Sequence, residues 1–197
     1  MTAIKLPLEF DADRLAAEVA GLGADEWVPH FNAAYYEGDW SGVSLRSVGG
    51  LTKMLFSDPS RKDEFADTEL VARFPGLAEA MGRFQCPLEA VRLLRLGPHA
   101  RIREHQDIDL GYDIGEIRVH VPVTSNPEVA FYLDGERVDM QPGEAWYLEL
   151  SLPHRVENDG SGDRVHLVVD CLLNDWLREM LEGGTPFAPA SRPPPPS

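Results

Sequence analysis

The chain has 197 residues, enough for one domain with a single buried core, and its 43% hydrophobic and 9% aromatic content is that of an ordinary soluble globular protein. A formal net charge of −15 argues against duplex nucleic acid or an anionic membrane as partner, since both demand basic patches, but leaves room for a small acidic substrate in a locally cationic pocket. Two distant cysteines, Cys86 and Cys171, imply no disulfide framework and a reducing, cytoplasmic setting, and no apolar run approaches a membrane span.

In chain order, residues 11–21 (DADRLAAEVAG) predict a helix capped by Asp11 or Asp13. Trp40 and Arg46, in GDWSGVSLRS, fall on a strand placed to cover a pocket. Residues 67–84 form a second helical region, broken near Pro75. From 44 to 170 the pattern is mostly strand, with short β-branched, leucine and aromatic runs at 91–96, 101–105, 116–123, 129–133, 145–150 and 164–170. Gly97-Pro98, Asp134-Gly135, Pro142-Gly143 and the loop 158–162 punctuate them, and FYLDGERV signals a hairpin. This predicts an antiparallel sandwich or jelly roll. Residues 174–182 predict a last helix capped by Asn174 before Gly183-Gly184. The domain is expected to span 1–183, with 184–197 a proline-rich, extended or flexible tail.

The chemistry concentrates in four residues: His105 and Asp107 as H-x-D, His154 far downstream after Pro153, and Arg164. If extended, His105 and Asp107 point to one face and hold one metal from one side. Two histidines and a carboxylate are the ligand set of non-haem Fe(II) oxygenases, which leaves positions for a co-substrate and dioxygen. Arg164 opens the apolar strand VHLVVD, where a guanidinium fork suits a co-substrate carboxylate such as that of 2-oxoglutarate. The plain alternative for Arg164 is an edge ion pair with Asp163 or Glu157. His166 is the rival third ligand. Arg164 and His166 share a strand face, as do Arg118 and His120. His99 and His30 read as solvent-facing. Of Arg92 and Arg95 in VRLLRL, one must point inward, which makes Arg92 a substrate-binding candidate. Trp146 and Tyr147 read as core and rim.

Four blocks in order, RLLRLGPHARIREHQD, GEIRVHVPV, MQPGEAWYLELSLPHRVEN and DRVHLVVD, resemble the aspartyl/asparaginyl β-hydroxylase family of Fe(II)/2-oxoglutarate dioxygenases. The R-V-H-x-x-V, S-L-P-H and R-V-H-L-V-V-D segments are similar to those of bacterial free-proline cis-4-hydroxylases in the same family. The resemblance covers about two-fifths of the chain. It implies a mainly β, cupin-like double-stranded β-helix, or jelly roll, with flanking N-terminal and C-terminal helices. It implies His105, Asp107 and His154 as iron ligands, Arg164 as the anchor of the distal carboxylate of 2-oxoglutarate, and His120 in contact with that co-substrate. Arg118 falls where family members hold a substrate carboxylate. Animal members lack the metal-binding carboxylate, so Asp107 sets this chain with the bacterial type. A serine that assists the arginine in the animal enzymes is replaced by an apolar residue around Leu94.

The expected activity is hydroxylation of an amino acid, or of an Asp/Asn residue in a peptide, using Fe(II), 2-oxoglutarate and O2 and releasing succinate and CO2, with ascorbate as a stimulant. The competing readings are a non-catalytic cupin-like metal-binding or sensor module and a different metal-dependent cupin such as an isomerase. Prime substrate, stereochemistry and oligomeric state are not legible in the sequence.

Overall fold

A computed structural model describes residues 2–56, 61 and 64–188. Strand β1 (Ala3–Glu9) and helix α1 (Ala12–Val19) open the chain, followed by β2 (Val28–Pro29), a 3-10 turn at Ala33–Tyr35, β3 (Tyr36–Glu37), β4 (Trp40–Val48) and β5 (Phe65–Asp67). Helices α2 (Glu69–Arg73) and α3 (Pro75–Gly82) precede the strands β6 (Leu88–Leu96), β7 (Arg101–His105), β8 (Glu116–Thr124), β9 (Val129–Leu133), β10 (Glu136–Val138), β11 (Glu144–Leu148), β12 (His154–Asn158) and β13 (Arg164–Leu172). Helix α4 (Asp175–Glu182) and β14 (Thr185–Pro186) follow. No helix among the described residues is long and apolar enough to cross a membrane. Cys86 and Cys171 are free thiols.

The strands form two sheets, a larger one ordered β14-β1-β11-β8-β13-β6-β4-β2, with β5 on β4, and a smaller one ordered β10-β9-β12-β7-β3. From β6 onward the chain alternates between them, except at the β9–β10 hairpin within the smaller sheet, so that β11-β8-β13-β6 faces β10-β9-β12-β7. All these pairings are antiparallel. That alternation is the double-stranded β-helix, and the helices flank it as expected.

The period-two alternation of side chains sorts the larger sheet into two buried faces. Val165, Leu167 and Val169 of β13 and Ile117, Val119 and Val121 of β8 pack outward against Leu15 of α1, Leu77 of α3 and Leu177 of α4. The intervening residues, Arg164, Val168 and Asp170 of β13 and Arg118 and His120 of β8, turn to the interior between the sheets. Because both faces are covered, these strands read as nearly continuous apolar runs interrupted only by the residues of the site. Trp146 and Tyr147 follow the same rule but correct the expectation of core and rim. Both are buried, Trp146 in the interior cluster and Tyr147 under the helices.

The helix signals act as read. Asp11 accepts from Arg14 N (3.0 Å) and Asn174 from Leu177 N (2.9 Å), caps worth about 1 kcal/mol each. Pro75 stands in the first turn of α3, where its missing amide costs nothing, and separates α3 from α2.

Several strands escape the sequence pattern, the short β2, β3, β5 and β14 and, of the longer ones, β1 and β12. β1 contains Pro7, but its pairing with β11 is irregular between Leu6 and Glu9, so the absent donor falls where the ladder is already interrupted. β12 (HRVEN) is too polar to be marked as a strand. The boundary at 184 also shifts. Thr185 and Pro186 pair with β1, and Phe187 N donates to Ala3 O (2.9 Å), so the ordered chain runs past that point. Residues 189–197 of the expected tail lie outside the described residues.

Candidate active site

His105 ends β7 and His154 begins β12, and the two are register partners in the smaller sheet. Asp107 lies just past the end of β7 rather than within an extended strand. Its backbone N–H donates to Leu150 O (2.8 Å), which draws the loop back toward the sheet. The three side chains place ligand atoms within 4.8 Å of one another. Each histidine aims Nδ1 at the carbonyl two residues earlier, His105 at Arg103 O (2.8 Å) and His154 at Leu152 O (3.0 Å). A carbonyl only accepts, so the proton sits on Nδ1 and the Nε2 lone pairs are free for a metal. Burial pushes the His154 pKa down to about 4, so the imidazole is neutral, the ligating form, at neutral pH. His166, the rival ligand, stands apart from this group.

One oxygen of Asp107 is held from behind. Arg118 Nη1 donates to Asp107 Oδ2 (2.6 Å), while Asp107 Oδ1 is 4.0 Å from His105 Nε2. Arg118 is itself clamped by Asp170, Nε to Oδ1 at 2.6 Å and Nη2 to Oδ2 at 3.0 Å. Asp170 faces Arg118 across β13 and β8 and also takes a hydrogen bond from Nη2 of Arg92, on the far side in β6, whose Nη1 donates to Leu55 O (2.8 Å). Burial opposes all three charges, but the two guanidiniums hold the Asp170 carboxyl below its ordinary range, and Asp170 and Asp107 hold Arg118 above its own. The Arg92 pKa is lowered, burial outweighing Asp170.

The sequence marks Arg118 and Arg92 as substrate-binding candidates. Both do line the cavity, but Arg118 and the terminal nitrogens of Arg92 engage the protein's own carboxylates and a carbonyl, leaving only the buried Nε of Arg92 without a partner. Replacing Arg118 with methionine is expected to lower metal affinity about 10–100-fold by freeing Asp107 to rotate, a loss that metal titration of the variant measures.

Arg164 is 3% exposed and, among the described residues, has no carboxylate against it. Neither Asp163 nor Glu157 pairs with it. Its Nη2 meets His166 Nδ1 (3.0 Å), and its Nε is buried without a partner. Burial alone lowers its pKa to about 9, which still leaves it charged at neutral pH. Arginine only donates, so His166 Nδ1 accepts. His120 Nδ1, 3.3 Å from the same atom, must then carry a proton, which leaves His120 Nε2 as a buried acceptor with no partner. Burial and Arg164 depress both histidines well below their usual range.

These groups line a cavity of about 710 Å³ open at one end. At its mouth, His30 stacks on Trp40 (ring centroids 3.5 Å apart) and on Phe31 (4.4 Å), and Phe31 meets Phe56 edge-on at 6.1 Å. Trp40 thus covers the pocket as expected, while Arg46 pairs with Asp67 elsewhere. His99 is exposed as read, but His30 is not the solvent-facing residue expected. Its burial against the rings drops its pKa to about 3. Nothing in its neighbourhood of the sequence marks it, since Trp40 reaches it only through the β2–β4 pairing.

The donor set fits a ferrous ion, and the unpartnered Nε of Arg164 fits a carboxylate lying in the same cavity. Among known proteins, the chain is similar to L-proline cis-4-hydroxylase of Rhizobium meliloti (strain 1021), 28% identical over 83% of the chain, and to L-proline cis-3-hydroxylase 2 of a Streptomyces species, 27% identical over 94%. It spans 58% and 66% of the lengths of those two relatives. A solved prolyl-4-hydroxylase from Pseudomonas putida aligns loosely, with a TM-score of 0.49 and 17% identity over 87% of this chain and 92% of that one. The family model described as aspartyl/asparaginyl β-hydroxylase matches residues 9–173, and the chain belongs to that family.

Proposed function

We propose that the protein is an Fe(II)/2-oxoglutarate-dependent dioxygenase that hydroxylates a C–H bond of an amino acid or an amino-acid residue. The observation that carries this is Arg164, a buried cation without a carboxylate partner among the described residues, lining the same cavity as the His105, Asp107 and His154 donors. An anchor for a 2-oxo acid serves little purpose in a non-catalytic metal-binding or sensor module or in an isomerase. The similarity to proline hydroxylases supports the same reading.

A ferrous ion held by His105, Asp107 and His154, with 2-oxoglutarate and dioxygen, supplies the oxidising chemistry and yields succinate and CO2. The chain's part is positioning. His105 and His154 offer lone pairs already oriented by their carbonyl partners, and Asp107 offers one oxygen while Arg118 restrains the other. Arg164 takes the distal carboxylate of the co-substrate in charge-assisted hydrogen bonds that the dry pocket strengthens. His120, with an acceptor at Nε2, is suited to orient a donor beside the co-substrate. Trp40, Leu94 and Phe131 exclude water from the interior.

The test is succinate formation from 2-oxoglutarate with iron and ascorbate, with and without candidate substrates, beside metal binding by His154→Ala. Loss of one of three ligands is expected to cut metal affinity at least 100-fold and to abolish succinate release. Full metal occupancy in His154→Ala, with its loss in His166→Ala, refutes this ligand set.

A further inference from the structure

Resting on the oxygenase reading, we infer that the prime substrate is a hydrophobic amino-acid unit whose carboxyl is masked as an amide or ester, and not a free amino acid. Three independent features of the cavity converge on this class.

The first is charge. Three arginines line the cavity, Arg92, Arg118 and Arg164, against four carboxylates, Asp107, Asp109, Glu116 and Asp170. Arg118 spends Nε, Nη1 and Nη2 on Asp170 and Asp107, and Arg92 spends both terminal nitrogens on Leu55 O and Asp170. Arg164 is taken by the co-substrate. Only the buried Nε of Arg92 is left without a partner, so a substrate carboxylate entering this cavity meets no guanidinium edge free to take it in paired hydrogen bonds. It would be desolvated beside a surplus of acid, an arrangement that selects against an anion.

The second is the mouth. Seven large hydrophobic side chains are exposed among the described residues, and five of them, Phe31, Tyr35, Phe56, Ile108 and Ile114, line this one cavity. Phe31 and Ile108 are 63% and 72% exposed, values that make sense if a ligand covers them. Together with the His30–Trp40 stack they form an apolar collar. Scattered surface hydrophobics need no explanation, but a cluster around a functional cavity marks a binding surface.

The third is size. A cavity of about 710 Å³ falls in the range of pockets that enclose drug-sized ligands, well beyond the needs of a co-substrate and a free amino acid. A unit whose carboxyl continues into an amide places its side chain inside and its uncharged remainder against the collar.

Matched pairs test this: free leucine, phenylalanine and proline against their N-acetyl carboxamides. Each is titrated calorimetrically under nitrogen into protein loaded with Fe(II) and 2-oxoglutarate. In at least one pair the carboxamide is expected to bind ten times more tightly than the free acid, with Kd below about 1 mM, and Phe31→Asp is expected to weaken that binding about tenfold. Free acids that bind as well as or better than their carboxamides overturn the inference, as does a panel in which no carboxamide reaches about 1 mM. The oxygenase reading fails differently, through the absence of any heat of 2-oxoglutarate binding before substrate is added.

Discussion

Arg164→Ala is expected to raise the 2-oxoglutarate concentration for half-maximal succinate formation by roughly 30-fold or more, equivalent to about 2–5 kcal/mol, with metal affinity retained. The magnitude follows from the setting. Arg164 is 3% exposed, so the carboxylate it receives has already lost its water, and removing the guanidinium leaves that charge without compensation. Alanine also opens a void beside His166, whose Nδ1 loses a donor. The ligand group stands elsewhere, at the end of β7, the loop just after it and the start of β12, so its geometry does not depend on the arginine. A 2-oxoglutarate requirement that changes less than about threefold removes the co-substrate role. Arg164→Lys separates charge from shape: it keeps a cation but not the fork, and is expected to recover only part of the loss.

Asp170→Asn is expected to cost about 3–5 kcal/mol of folding stability, because two buried guanidiniums lose the carboxylate they share. At 2% exposure, Asp170 has no access to solvent that would soften the change. Its neighbours in register, Arg118 on β8 and the nearby Arg92 on β6, tie the three central strands of the larger sheet together at this point. Chemical denaturation reads the loss directly, and for a chain of this length it corresponds to a fall in melting temperature of roughly 10 °C. The variant also releases Arg118 from one side, so metal affinity is expected to fall with stability. A cost below about 1 kcal/mol means the network is not what holds these strands in place.

Much of this site is legible in the sequence, and what is missing has a common cause. His105, Asp107, His154 and Arg164 are identifiable because their residue types and spacing carry the chemistry, and the runs that hold His105 and Arg164 are marked as strands by apolar residues and turns. What Arg118 does is not legible. Its partner Asp170 is 52 positions away and is brought opposite by the β13–β8 register, which no local pattern records. The same holds for His30, which reads as a loop residue until β2 pairs with β4 and lays it on Trp40. β12 escapes because its outward residues are charged and only Val156 carries an apolar signal between two polar residues that face the interior, His154 and Asn158. Residues that serve a site break the alternation that makes strands visible. In β12 that interruption leaves a single apolar position, too few to show a strand.

The outermost strands leave little open edge on either sheet. The larger sheet ends in β2 and β14, each two residues long and each finishing in proline, Pro29 and Pro186. The smaller sheet ends in β3 and β10, of two and three residues. A bare strand edge is a template for another chain, and both brevity and an imino nitrogen blunt it. A fold built from so many strands therefore offers a newcomer very little backbone to zip onto. These short terminal strands, beside the acidic surface, are expected to disfavour edge-to-edge association.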